Sequence, residues 1–378
     1  MTLQPQRDIG LYVHIPFCRQ RCHFCAFYLE VARAERIQSF CTAIAQEIDL
    51  SRQEGLGGRR PLRSIYFGGG TPTALRAAQL ASLLQLIRAA WPTESSVEIT
   101  VEAHPSTVTR TDLSMLTDAG FNRISFGAES MNEQDFAPIG RPGQVKDTEA
   151  AVEAAHTAGF SNINLDLMYG LPGQSLASWT ETVQSLLALE PTHVSCYALT
   201  IEDGTTLARD IAKNLVPRPD ESLQIDMESA AETILNEAGF NRYEISNYAK
   251  PGFSCRHNLL YWTDGDYLGL GPSAQSYVNG IRSGTVADLT TYTDMLNAGR
   301  WPIVERVGLS DTEQQRDALV FGLRLVEGVP RHLVRPDMPE YQALVRLGSR
   351  GLVECTEDHI RLTTLGRRYA DSVAQELY

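Results

Sequence analysis

Three cysteines, Cys18, Cys22 and Cys25, stand at the spacing C-x3-C-x2-C directly after the short apolar run Leu11–Ile15. Thiols this close invite metal or oxidation and seldom pack as plain apolar side chains. A structural zinc site takes four ligands, and so does a fully ligated iron–sulfur cluster. A cubane cluster on three cysteines leaves one iron open, and an open iron can bind a molecule and pass it an electron. Zinc is the alternative, with His14, His23 or Cys41 as a fourth ligand. Three buried thiols are the third reading.

Other residues carry weaker chemistry. Gly68-Gly69-Gly70-Thr71-Pro72 would let backbone approach a ligand closely, or would make an ordinary strand-to-helix turn. Glu102, Glu129 and Asp166 could hydrogen-bond sugar hydroxyls or an amino group, or could be helix caps and solvated carboxylates. Arg141 could clamp a carboxylate with two N–H groups, or lie on the surface. His257, in Cys255-Arg256-His257-Asn258, is a candidate axial ligand for heme, set against a packed histidine. Tyr243, Tyr248, Tyr261, Trp262 and Tyr267 read as core or as the wall of a site for a flat ligand.

These residues need elements to hold them. Strand patterns cover 11–15, 64–67, 97–101, 123–126, 162–168 and 193–198. Helical spacing covers 34–52, 76–90, 146–158, 176–189 and 221–239, with a helix near Leu113 and Leu116 stopped at Gly120. Strand–helix alternation means parallel βαβ units with right-handed crossovers. The expected fold is α/β, an open, partial (β/α)6 barrel. In such folds ligands bind at the carboxyl ends of the strands. The cysteines, the glycine run, Glu102, Glu129, Asp166 and Ala198 all fall there. After Leu309 the texture changes to helices at 312–326, 339–347 and 364–377 around a hairpin of 352–354 and 359–361, a winged-helix-like end. The expected divisions are 1–215, 216–308 and 309–378.

The chain has 378 residues, net charge -13 and 43% apolar residues, the profile of a globular enzyme. Acidity argues against a nucleic-acid binder. No apolar run is long enough for a transmembrane segment, and the first residues lack a signal-peptide core. Seven cysteines, three of them clustered, do not form a secreted disulfide pattern. A reducing, cytoplasmic setting is expected.

The segments YVHIPFCRQRCHFC, FGGGTPT, ITVEAHP, NRISFGAES, LDLMYGLPGQ, YEISNYAKPG and HNLLYWTDGDYLGLG resemble the radical S-adenosylmethionine proteins of the oxygen-independent coproporphyrinogen III oxidase-like group. The resemblance runs from about Leu11 to the C-terminus. Within the group it is nearer to the heme chaperone branch: little sequence precedes the cysteines, the HNLLYW segment and C-terminal pattern look like that branch, and Phe27 stands where the oxidases carry a further cysteine. The resemblance implies a [4Fe-4S] cluster on Cys18, Cys22 and Cys25, with S-adenosylmethionine on the open iron. It puts Tyr12 and Phe24 near the cluster and adenine, and Gly69, Gly70 and Thr71 at the methionine amino end. Glu102, Glu129 and Asp166 fall on the amino group or ribose, Arg141 on the carboxylate and Ala198 along the adenine. Three positions depart from the pattern: Glu129 replaces glutamine, Gly143 stands where a histidine is common, and Gln275 replaces a histidine. They bear on substrate or heme handling and leave the cluster untouched.

The leading expectation is a heme chaperone that binds heme and passes it to acceptor proteins, with His257 or a nearby tyrosine on the iron. The cluster and S-adenosylmethionine would support transfer or formation of a homodimer. The alternative is a radical enzyme that cleaves S-adenosylmethionine reductively. It would act as a coproporphyrinogen III dehydrogenase or catalyse a radical methylation or cyclisation, fed by a flavodoxin- or ferredoxin-like electron donor. A simple electron-transfer protein is the third.

Overall fold

The computed structural model describes residues 7–378. Six parallel strands follow one another in a single sheet: β1 (Ile9–Ile15), β2 (Leu62–Gly69), β3 (Thr93–Ala103), β4 (Arg123–Glu129), β5 (Asn162–Tyr169) and β6 (His193–Ala198). The crossover helices are Ala34–Gln53, Ala77–Ala90, Arg110–Ala119, Val145–Thr157 and Leu176–Leu187, and Glu221–Glu237 follows β6. The helix Arg110–Ala119 shows how local sequence sets its limits. Thr109 and Asp112 form a capping box at its start, and Gly120 ends it in the left-handed conformation at φ 103°.

Each strand is two-faced. Leu11, Val13, Ile65, Phe67, Ile99, Val101, Ile124, Phe126, Leu165 and Val194 are buried in one core with helix residues such as Phe40, Ile44, Leu80, Leu83, Val152 and Trp179. Full burial of each such side chain is worth about 1.5–3 kcal/mol. The intervening residues turn the other way: Tyr12, His14, Tyr66, Glu102, Arg123, Ser125, Asn164, Asp166 and Ser195 line a cavity. A parallel sheet packed on both faces reads as continuous apolar runs. Here every second position is polar because the inner face wraps a site.

The sheet extends beyond the six expected strands. A seventh parallel strand, β7 (Asp266–Leu270), pairs with β1 and leads into an antiparallel meander of Gln275–Val278, Ile281–Thr285 and Ile303–Gly308. On the far edge Asn247–Ala249 pairs antiparallel with β6. Residues 216–308 therefore form both flanks of the sheet, where the sequence suggested only a connection. Burial of Asp266 against Arg60 (2.6 Å) fixes the β7 edge.

The C-terminal region has its own core of Leu319, Leu323, Val329, Leu344, Leu347, Ile360, Leu362, Val373 and Leu377. Its helices are Asp311–Gly322, Pro339–Ser349, Thr364–Arg368 and Ala370–Leu377, around strands Val353–Cys355, His359–Leu362 and Val329–Pro330. The last strand adds a third member to the expected hairpin, and the expected 364–377 helix breaks at Tyr369. Arg368 to Glu228 (3.1 Å) and Arg367 to Glu232 (3.7 Å) tie this region to the helix Glu221–Glu237.

Candidate functional site

Pro16 follows β1, and the chain then makes a clip. Phe17–Cys18 pairs in parallel with Glu30–Val31, so the cysteine loop is closed at its base. The Glu30 N–H donates to the Pro16 carbonyl (2.6 Å), and the Ala32 N–H to that of Cys18 (2.8 Å). Arg21 gathers the loop from within by donating to the carbonyls of Cys25, Phe27 and Leu29 at 3.1–3.2 Å. The His23 N–H donates to the Ile139 carbonyl, and the Leu207 N–H to that of His23. All three cysteines line the cavity, and none forms a disulfide. The Cys18 sulfur lies 3.4 Å from Thr71 Oγ1. Burial raises the Cys18 thiol and pushes the Cys22 thiol up to about 11. Metal must therefore displace protons to bind.

The glycine run lies against this clip. A Cβ on Gly70 would stand 2.7 Å from the Phe17 carbonyl oxygen, so only glycine lets β2 end beside the cysteine strand. The Gly70 N–H donates to the Ile15 carbonyl, and the Thr71 N–H to that of Phe17.

The acids stand on neighbouring strand ends. Glu102 accepts from Tyr66 OH (2.7 Å) and the Gly69 N–H (3.1 Å), while burial pushes its carboxyl up to about 7. Asp166 accepts from Ser125 Oγ (3.2 Å) and Asn164 Nδ2 (2.8 Å). Glu129 sits at a register shift in β4 with φ 63°, an uncommon conformation for a side-chain-bearing residue that turns it onto Arg141 at 3.2 Å. Arg141 also donates to the Gly127 carbonyl.

Tyr12, Phe24, Gly69, Gly70, Thr71, Glu102, Glu129, Arg141, Asp166 and Ala198 share the one cavity with the three cysteines, in a volume of about 1240 Å³. Gln275 and Phe27 also line it, and Phe27 is 70% exposed. His104 lies 3.3 Å from where a Cβ on Gly143 would stand, so a histidine ring is present beside the position where the chain lacks one.

His257 is not brought into the cavity. It is 1% exposed, its Nδ1 bonds Ser64 Oγ (2.8 Å) and its Nε2 bonds Tyr261 OH (2.9 Å). Both ring nitrogens are engaged, and burial pushes its pKa down to about 3. The role of iron ligand expected for it is not available in this conformation. Of the aromatic group, Tyr261 and Tyr267 line the cavity, whereas Tyr248 is core and Trp262 lies under Arg324 (4.5 Å).

The residues fit an iron–sulfur cluster with S-adenosylmethionine. The donor set is three thiols on one tied loop, beside polar groups suited to an amino acid and a ribose. His14 and His104, both held neutral by burial with pKa values near about 4, each carry a buried Nε2 without a protein partner among the described residues. Among those residues no three His, Cys, Asp or Glu side chains converge on a point that would hold a single ion. Cys41, once a possible fourth zinc ligand, instead lies near Gln79 Nε2 (3.8 Å), outside the cavity.

The sequence model of the Radical SAM superfamily matches residues 12–186. The Bacillus subtilis heme chaperone HemW is 31% identical, over 96% of this chain and 97% of its own length. The chain belongs to the HemW family of radical SAM proteins. The Escherichia coli HemW is likewise 31% identical over 97% of each chain, and that of Mycobacterium tuberculosis 32% over 99% and 95%. The coproporphyrinogen III oxidase HemN of Escherichia coli superposes with a TM-score of 0.85 over 99% of this chain and 91% of that one, at 24% identity. This chain and HemN thus share an architecture, and that likeness is one of fold.

Sequence reasoning missed the inner positions Tyr66, Arg123, Ser125, Asn164 and Ser195, all at the cavity. For Tyr66, Ser125, Asn164 and Ser195 the signal is the alternation itself, each standing between two apolar neighbours on its strand; Arg123, which follows Asn122 and opens its strand, carries no such signal.

Proposed function

We propose that this chain is a heme chaperone that carries a [4Fe-4S] cluster on Cys18, Cys22 and Cys25, with S-adenosylmethionine alongside. The observation that carries the reading is the convergence of the cysteines, the glycine run, Arg141 and three acids in one cavity. When bound, the cluster supplies an electron-transfer site beside the sulfonium. The protein's own part is positional. Gly69, Gly70 and Thr71 take the methionine amino end, Arg141 takes the carboxylate, Glu102, Glu129 and Asp166 take amino or ribose groups, and Tyr12, Phe24 and Ala198 flank the adenine.

Heme, the cargo named for the HemW relatives, is the ligand we assign to the remaining volume, with heme-accepting proteins as recipients. We place the protein in the cytoplasm. Among the described residues no helix is long and apolar enough to cross a membrane. A flavodoxin- or ferredoxin-like donor and a homodimer complete the reading. The divisions we adopt are 1–215 for the barrel, 216–308 for its flanking strands and 309–378 for the C-terminal unit.

The test is anaerobic reconstitution, heme titration by visible spectroscopy and assay of 5′-deoxyadenosine in one sample. A Soret shift on titration supports the chaperone, and its absence with a loaded cluster overturns it. Conversion of coproporphyrinogen III would instead mark an oxidase. Phe27, in the place of the oxidases' extra cysteine, argues for none.

A further inference from the structure

Arg123 opens β4 and points with Ser125 and Gly127 into the cavity. It is 2% exposed. Among the described residues its buried Nε and Nη1 have no hydrogen-bond partner. Thr100, its register partner on β3, is also fully buried with an unpartnered hydroxyl. The buried Glu98 carboxylate lies close enough to favour the charge of Arg123, but it makes no hydrogen bond to it, and buried N–H groups left without an acceptor are costly.

The surrounding polar groups are already committed. Glu98 accepts from the N–H groups of Arg256 (3.1 Å) and His257 (3.2 Å). Glu102 and Asp166 hold the partners given above. Asn164 bonds Ser125 (2.7 Å) and His193 (2.6 Å), and His193 bonds Tyr243 OH (2.9 Å). None of these groups hydrogen-bonds Arg123 as they stand.

Arg123 lies six residues before Glu129, the partner of Arg141, which is roughly 20 Å along an extended strand. The one carboxylate of S-adenosylmethionine cannot serve both arginines. The cavity's volume of about 1240 Å³ also exceeds the roughly 300–1,000 Å³ of ordinary small-molecule sites.

We propose that Arg123 takes a carboxylate of a second ligand seated below S-adenosylmethionine, and that this carboxylate is a tetrapyrrole propionate. The identity of the ligand rests on the heme reading above; the open hydrogen-bond positions it would fill are those of Arg123.

The test titrates cluster-loaded wild type, Arg123→Gln and Arg123→Lys with hemin and with hemin dimethyl ester, whose propionates are blocked. S-adenosylmethionine binding is measured by calorimetry, and melting is measured without ligand. Wild type should prefer hemin to its ester by about tenfold or more. Arg123→Gln should lose that preference and keep its S-adenosylmethionine affinity, and Arg123→Lys should keep part of the preference. Neither variant should melt below wild type, since no hydrogen bond is removed. Hemin binding by Arg123→Gln equal to wild type overturns the proposal. Loss of S-adenosylmethionine binding instead would assign the carboxylate to that molecule, and a lowered melting temperature would mark a structural arginine. If wild type binds no hemin, the heme reading itself fails and the propionate goes with it.

Discussion

Each thiol of the cluster loop has a single expected use. Cys18→Ser, Cys22→Ser and Cys25→Ser should each abolish the brown chromophore on anaerobic reconstitution, while Cys355→Ser, at an exposed thiol away from the cavity, should keep it. Iron and sulfide analysis reads this directly. The Glu129–Arg141 pair makes a subtler case. Glutamate here holds the guanidinium we assign to the S-adenosylmethionine carboxylate, so on that assignment the ligand competes with a neighbour 3.2 Å away. Glu129→Gln should free Arg141 and tighten binding about three- to tenfold, a gain on the order of 1 kcal/mol, as expected for a partly buried ion pair. Calorimetry of the cluster-loaded variant checks it; unchanged binding would show that Arg141 does not receive the carboxylate, and weaker binding that the Glu129 charge acts on the ligand amino group rather than on Arg141.

Among the elements, the junction of β2 with the cysteine clip is the tightest. Gly70→Ala pushes a methyl onto the Phe17 carbonyl. It should cost about 1–3 kcal/mol, the usual range for overpacking. Cluster occupancy should fall with it, because the clip and the glycine run must separate. Thermal melting and iron content report the two effects. Much of this level was legible in the sequence. The six strands and the cysteine loop are local patterns, and the acids fall at strand ends where a βαβ fold must place a site. What was not legible is non-local. β7 reaches β1 from more than 250 residues away, and nothing around Asp266–Leu270 names its partner. His257 looked like a free ligand because Ser64, which engages its Nδ1, lies 193 positions earlier. Arg123 stands at the start of its strand, away from the carboxyl ends where such folds bind ligands, so its position carries no local signal.

For the whole molecule, a long-range buried contact joins the first crossover helix to the late flank. Glu47 accepts from Tyr292 OH (2.5 Å) and from the Gly271 N–H (2.8 Å), and burial pushes its carboxyl up to about 7. A carboxyl raised on folding binds more protons folded than unfolded, so it favours the fold at low pH and withdraws that support as pH rises through the folded pKa. Glu102 acts in the same direction. The melting temperature should therefore fall between about pH 5 and about pH 8, and Glu47→Gln should flatten part of that slope. Melts across the range decide it; an unchanged slope in the variant would remove Glu47 as a source. The central claim is that the three thiols leave an iron to which S-adenosylmethionine binds. Electron paramagnetic resonance of the dithionite-reduced, reconstituted protein, with and without S-adenosylmethionine, tests it most directly. The account predicts a cubane-type signal that shifts when S-adenosylmethionine is added. A cluster signal indifferent to it would contradict the account.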